Sequence, residues 1–92
     1  MKTKAYSIFD SKVGSYCSPF FLRSKGEAIR VFTDLANDSK QNISKYPEDF
    51  VLFEIGDYDE ETGLMIPYKS VMSVGCALEF KSKQESATLA AI

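Results

Sequence analysis

The sequence predicts an α+β domain: a small, mostly antiparallel sheet of four to five strands with one amphipathic helix packed on one face. Three observations lead there. Residues 4–10, "KAYSIFD", and 48–56, "EDFVLFEIG", are rich in aromatic and β-branched side chains with the two-residue period of strands. Residues 25–37 instead repeat apolar positions at spacings of three and four. Turn-forming stretches separate these runs, so sequential strands can fold back as antiparallel neighbours.

In the first strand Tyr6 and Ile8 share one side, with Ala5, Ser7 and Phe9 on the other. "DSKVGS" (10–15) is a loop in which Gly14 is free to take positive φ. "YCSPFFLR" (16–23) is a second extended run, confined to an edge or interrupted at Pro19, which has no N–H to donate. Plain alternation places Tyr16, Ser18, Phe20 and Leu22 on one side of it, and Cys17, Phe21 and Arg23 on the other. Ser24 and Glu27 form a capping-box pattern, opening a helix over about 25–37. Ala28, Ile29, Phe32, Leu35 and Ala36 make its core stripe, and Asn37 is suited to a left-handed C-cap. "QNISKYP" (41–47) reads as loop. In the next strand Val51, Phe53 and Ile55 form one fully apolar face, while Phe50 and Leu52 add apolar surface to the other, the pattern of a central strand. "DYDEETG" (57–63) is an acidic turn. "LMIPYKSVMSVGCALEF" (64–80) is a strand broken at Pro67, followed by a segment that is the candidate for a short fifth strand. The expected domain is 1–80, with 81–92 a flexible C-terminal tail.

Composition narrows the chemistry. With 92 residues there is room for one core, and domains of this size bury only about 60–65% of their unfolded surface. One helix covers one sheet face, so a homodimer is the expected cover for the second. The chain has no histidine, hence no imidazole base or ligand and no serine–histidine or cysteine–histidine couple. Cys17 and Cys76 show no metal or redox spacing. The acidic turn lacks the twelve-residue ligand spacing of a calcium loop, and the five glycines build no phosphate cradle. The expectation is a non-enzymatic protein with no cofactor, no metal and no membrane span.

The charge is unevenly distributed. Residues 1–30 carry six Lys/Arg against Asp10 and Glu27, a balance of +4, whereas residues 31–63 carry two lysines against nine acids, −7. The basic third also holds clustered rings. Rings flanked by cations suit single-stranded nucleic acid, where bases stack and phosphates are neutralised. The candidate DNA-binding residues are therefore Tyr16, Phe20, Phe21 and Arg23, with Lys2, Lys4, Lys25 and Arg30 as phosphate contacts. The N-terminus of the helix, at Ser24 to Gly26, could add unpaired amides for one phosphate.

The blocks "YSIFD", "PFF-R---GEAIR-F", "YPEDF-LF-IG-YD-ETG" and "ALEF", running from Tyr6 to Phe80, resemble the small nonstructural protein of gokushoviruses. These are microvirus-family bacteriophages with circular single-stranded DNA. The resemblance implies a DNA-binding protein of the bacterial host's cytoplasm, absent from the virion, that supports single-strand synthesis during genome replication. It supplies no residue-level site. The alternative is an adaptor that docks a viral or host replication protein without touching DNA.

Overall fold

The computed structural model describes residues 2–81. In chain order the elements are β1 (Lys2–Asp10), β2 (Ser15–Tyr16), β3 (Phe20–Leu22), α1 (Lys25–Asn37), α2 (Asn42–Lys45), a 3-10 turn (Pro47–Asp49), β4 (Phe50–Asp59) and β5 (Leu64–Cys76), followed by a helical turn at 77–81. The expected tail lies, beyond Lys81, outside the described residues. All strand pairs are antiparallel. The sheet order is β2–β1–β4–β5, with β3 pairing β1 on the same edge as β2. The result is the α+β architecture the periodicities indicate.

The two hairpin turns share a local logic. "DSKVG" and "DEETG" each begin with an aspartate whose side chain accepts an amide two residues on: Asp10 from Lys12 N at 3.0 Å and Asp59 from Glu61 N at 2.9 Å. Each ends on a glycine at positive φ, Gly14 at 80° and Gly63 at 75°, whose amide returns to the aspartate carbonyl at 2.8 Å.

The core lies between α1 and one sheet face. Tyr6 and Ile8 of β1 pair with Glu54 and Leu52 of β4 and, with Phe50, meet Ala28, Phe32 and Ala36 of the helix. Phe20, Leu22 and Leu35 seal its margins. Ser24 caps α1 by accepting from Glu27 N at 3.2 Å, while the Glu27 carboxyl accepts from Arg23 N at 3.1 Å, one residue earlier than a standard capping box. Asn37 is not a left-handed cap. It stays helical, its amide donating to Thr33 O at 2.8 Å, and Asp38 closes the helix in extended backbone.

Two further expectations change. The segment 41–47 is not all loop: α2 and the 3-10 turn bury Ile43 and Pro47 at one end of the core, and the buried Ser44 receives the Lys81 ammonium on its carbonyl (2.6 Å) and hydroxyl (3.0 Å). Elements this short carry too few residues to show a period. Leu64 to Cys76 is one strand, not a broken one. Its departures from regular pairing with β4 fall between Pro67 and Met72 and next to Gly75, and β5 is outermost among the described strands, where a proline is tolerated. The helix packs on the Phe50/Leu52/Glu54 side of β4, so the fully apolar Val51/Phe53/Ile55 side faces away from it.

Candidate nucleic-acid interface

The sheet face turned away from α1 carries most of the sequence's free rings. Phe9 pairs with Tyr16 on one side and Val51 on the other, and Ser7 pairs with Phe53. The three rings form a cluster, with centroids 4.8 Å apart for Phe9–Tyr16, 5.7 Å for Tyr16–Phe53 and 6.5 Å for Phe9–Phe53. Further along the face, Phe21 sits opposite Ala5 and Tyr58 opposite Thr3, and their rings approach to 4.9 Å. Tyr16 is 48% and Phe21 43% exposed. Small Ala5 and Ser7 lie buried between the two ring groups.

Tyr16 and Phe21 share this face because the edge strand is interrupted. Tyr16 pairs with Phe9 and Phe20 with Tyr6, so four steps along the edge match three along β1. The extra residue, in the stretch containing Pro19, reverses the side-chain alternation. Cys17 O is held there by the Ser7 hydroxyl at 2.7 Å. Tyr16 and Phe20 therefore lie on opposite faces, not on one as plain alternation would have it. Phe20 turns to the core and stacks on Tyr6 with centroids 6.0 Å apart.

The charges are sorted by face. All four strand carboxylates, Asp10, Glu54, Asp57 and Asp59, are in register with the α1-facing residues of β1. Lys2 and Lys4 share that side: Lys2 pairs with Asp59, and the Lys4 ammonium meets Asp57 at 3.0 Å. Tyr68 joins them, its hydroxyl 2.6 Å from the buried Glu54 carboxyl and 3.4 Å from Lys4. The hydrogen bonds that the Lys4 ammonium donates to Asp57 and Tyr68 hold its pKa above the ordinary value. No strand carboxylate shares the open face; strand alternation from Pro67, which pairs with Gly56 on that side, and from Ser73, which pairs with Phe53, assigns Lys69 to it. Arg23 is exposed two residues beyond Phe21. Lys25 and Arg30 are exposed on α1, the opposite layer.

The fold thus brings together Tyr16, Phe21 and, at the margin, Arg23 from the sequence candidates. It does not bring Phe20, Lys2, Lys4, Lys25 or Arg30 to the same surface. Sequence reading missed Phe9, Phe53, Tyr58 and Lys69. The signal was present in the apolar Val51/Phe53/Ile55 stripe, which looked like core. Elsewhere, a cavity of about 280 Å³ at the end of the sheet is lined by Asp10, Lys12, Asn42, Tyr46, Asp49 and Phe50. Among the described residues no group of His, Cys, Asp or Glu is arranged to hold a metal ion, and no helix is long and apolar enough to cross a membrane.

A family model described as "Phage ORF5 protein" matches residues 3–80, nearly the whole described fold. The chain belongs to the phage ORF5 protein family. Protein ORF5 of Chlamydia phage 1, a gokushovirus, is 41% identical over 66 residues, covering 67% of this chain and 69% of that protein. No solved structure matches. The ORF5 family assignment agrees with the gokushovirus resemblance of the motif blocks and makes this a small phage protein.

Proposed function

We propose that this ORF5-family protein is a non-enzymatic single-stranded-DNA-binding protein that uses the open face of its sheet. One observation carries the reading: Phe9, Tyr16, Phe21, Phe53 and Tyr58 occupy a face with no strand carboxylate, while Asp10, Glu54, Asp57 and Asp59 point the other way. Exposed Tyr16 and Phe21 stack on bases; Arg23 and Lys69 contact phosphates. The sorting of charge lets a chain of net −2 approach a polyanion with its favourable side. Such a protein acts in the host cytoplasm, outside the virion, holding single-stranded genome during replication.

Fluorescence anisotropy with a labelled oligonucleotide tests this. Each base–ring stack contributes about 1–3 kcal/mol, so Phe21→Ala and Tyr16→Ala each weaken binding by roughly 5- to 150-fold. Lys4→Ala, on the carboxylate side, leaves affinity unchanged. Absence of binding at low salt, or ring variants that bind like the parent, overturns the reading and leaves the exposed rings to a protein partner.

A further inference from the structure

β5 is the outermost strand on its side of the described sheet, and it is unusual for an edge. It is thirteen residues long, and Leu64, Met65, Ile66, Val71 and Met72 are between 38 and 64% exposed. These side chains lie on both faces. Met65 pairs with Tyr58 and Pro67 with Gly56 on the open side, and alternation carries Lys69, Val71 and Ser73 there too. Leu64, Ile66, Tyr68 and Met72 lie on the α1 side, Met72 opposite Glu54. An edge strand offers a row of backbone donors and acceptors, and soluble proteins normally blunt it. The opposite edge is blunted: β2 and β3 are two and three residues long, with Pro19 between them. β5 is blunted at its middle, by Pro67, Lys69 and the departure from regular pairing between Pro67 and Met72, while its exposed apolar residues lie before that stretch and at its end.

What fits such an edge is an antiparallel strand with apolar residues on both faces at matching spacing, and β5 itself has that sequence. Residues opposite one another in antiparallel strands share a face, so even positions must meet even ones. With a two-fold axis at Tyr68, Leu64 faces the partner's Met72 and Met65 faces the partner's Val71, and the symmetry repeats each pair, so two apolar pairs form on each side of the sheet. We propose that two copies associate through β5, edge to edge and antiparallel, into one continuous sheet. The two-fold axis then stands normal to the sheet, so both ring-bearing faces lie on the same side. Lys69 of each copy flanks the axis between them. The association stands independently of DNA binding; if that reading also holds, one strand can run across two platforms.

The test is mass in solution without nucleic acid, by sedimentation velocity on the full chain. The parent runs as a dimer at micromolar concentration. Met72→Asp and, separately, Val71→Lys, both altering exposed side chains, give folded monomers by circular dichroism, whereas Val13→Asp on the β1–β2 turn stays dimeric. In a Cys17→Ser, Cys76→Ser background, the double variant Met65→Cys, Val71→Cys oxidises to a covalent dimer. A monomeric parent overturns the proposal. So does a dimer that survives both β5 substitutions, or one dissociated by Phe21→Lys instead, which would put the contact on the open face.

Discussion

At the scale of single residues, two tyrosines beside Glu54, Tyr6 in register with it and Tyr68 bonded to its carboxyl, make opposite predictions. Tyr68 donates to the Glu54 carboxyl at 2.6 Å, and Glu54 is buried. Removing a donor to a buried carboxyl leaves it desolvated and uncompensated, so Tyr68→Phe lowers stability by about 1–3 kcal/mol in a urea titration. Tyr6 is fully buried, and among the described residues its hydroxyl has no hydrogen-bond partner. Tyr6→Phe removes an unsatisfied polar atom and keeps the stack on Phe20, so stability is unchanged or rises by up to about 1 kcal/mol. A marked loss in Tyr6→Phe would show that this hydroxyl is engaged after all. The same residues govern alkaline behaviour. Burial raises the Tyr6 pKa, the hydrogen bond to Glu54 raises that of Tyr68, and Asp57 raises that of Lys4. A pKa raised on folding contributes stability that is complete below the unfolded value and lost as pH rises through the folded one. The domain therefore holds its stability up to about pH 10 and loses it above, and Tyr68→Phe flattens that loss.

At the scale of elements, what was legible in the sequence was whatever has a period or a local chemical signature. Helix α1 spans Lys25–Asn37 because a capped start precedes a stripe at three-and-four spacing, and both are written within a few residues. β1 and β4 were legible for the same reason. The faces were not, because each depends on a partner. β4 is apolar on Val51/Phe53/Ile55 and carries Glu54 on the other side, so composition alone favours packing the helix on the wrong one. What decides is Tyr68, contributed from β5, which satisfies Glu54, and the reversal before Phe20, which sends that ring to the core. Close approach is equally non-local. A Cβ on Gly56 would stand 2.5 Å from Ile66 O and 2.9 Å from Pro67 Cα, both backbone atoms of the adjoining strand. Gly56→Ala must then push β5 away from β4, and thermal unfolding shifts down by more than the few degrees typical of a surface substitution. Gly26→Ala serves as the control: its Cβ would meet only Ser24 Oγ at 3.8 Å, and in an exposed helix the change is neutral or stabilising by roughly 0.5–1 kcal/mol.

At the scale of the whole molecule, the formal charge of −2 conceals the sorting of carboxylates and rings onto opposite sides of one sheet. Chain-level bookkeeping pointed to the basic first third, yet Lys2 lies in register with Asp59 and Lys4 is bridged to Asp57, so much of that excess is neutralised within the fold. The ring-bearing face keeps Lys69 and, at its margin, Arg23, so on the proposed DNA-binding reading about two phosphates are neutralised per chain. Counterion release from single strands scales as about 0.7 per phosphate contact, giving a slope of log K against log salt near −1.4. Between 50 and 200 mM salt the affinity then falls by only about 7-fold. A protein that used the whole basic third would lose far more. In the proposed interface stacking on Tyr16 and Phe21 supplies the salt-insensitive remainder, so Phe21→Ala is expected to lower the affinity at every salt concentration by the same factor and to leave the slope intact. Lys69→Ala does the reverse, reducing the slope by about 0.7. A steep slope that Lys4→Ala or Lys2→Ala relaxes would place the DNA on the α1 side of the sheet, among the carboxylates, and would overturn the division of labour between the two faces.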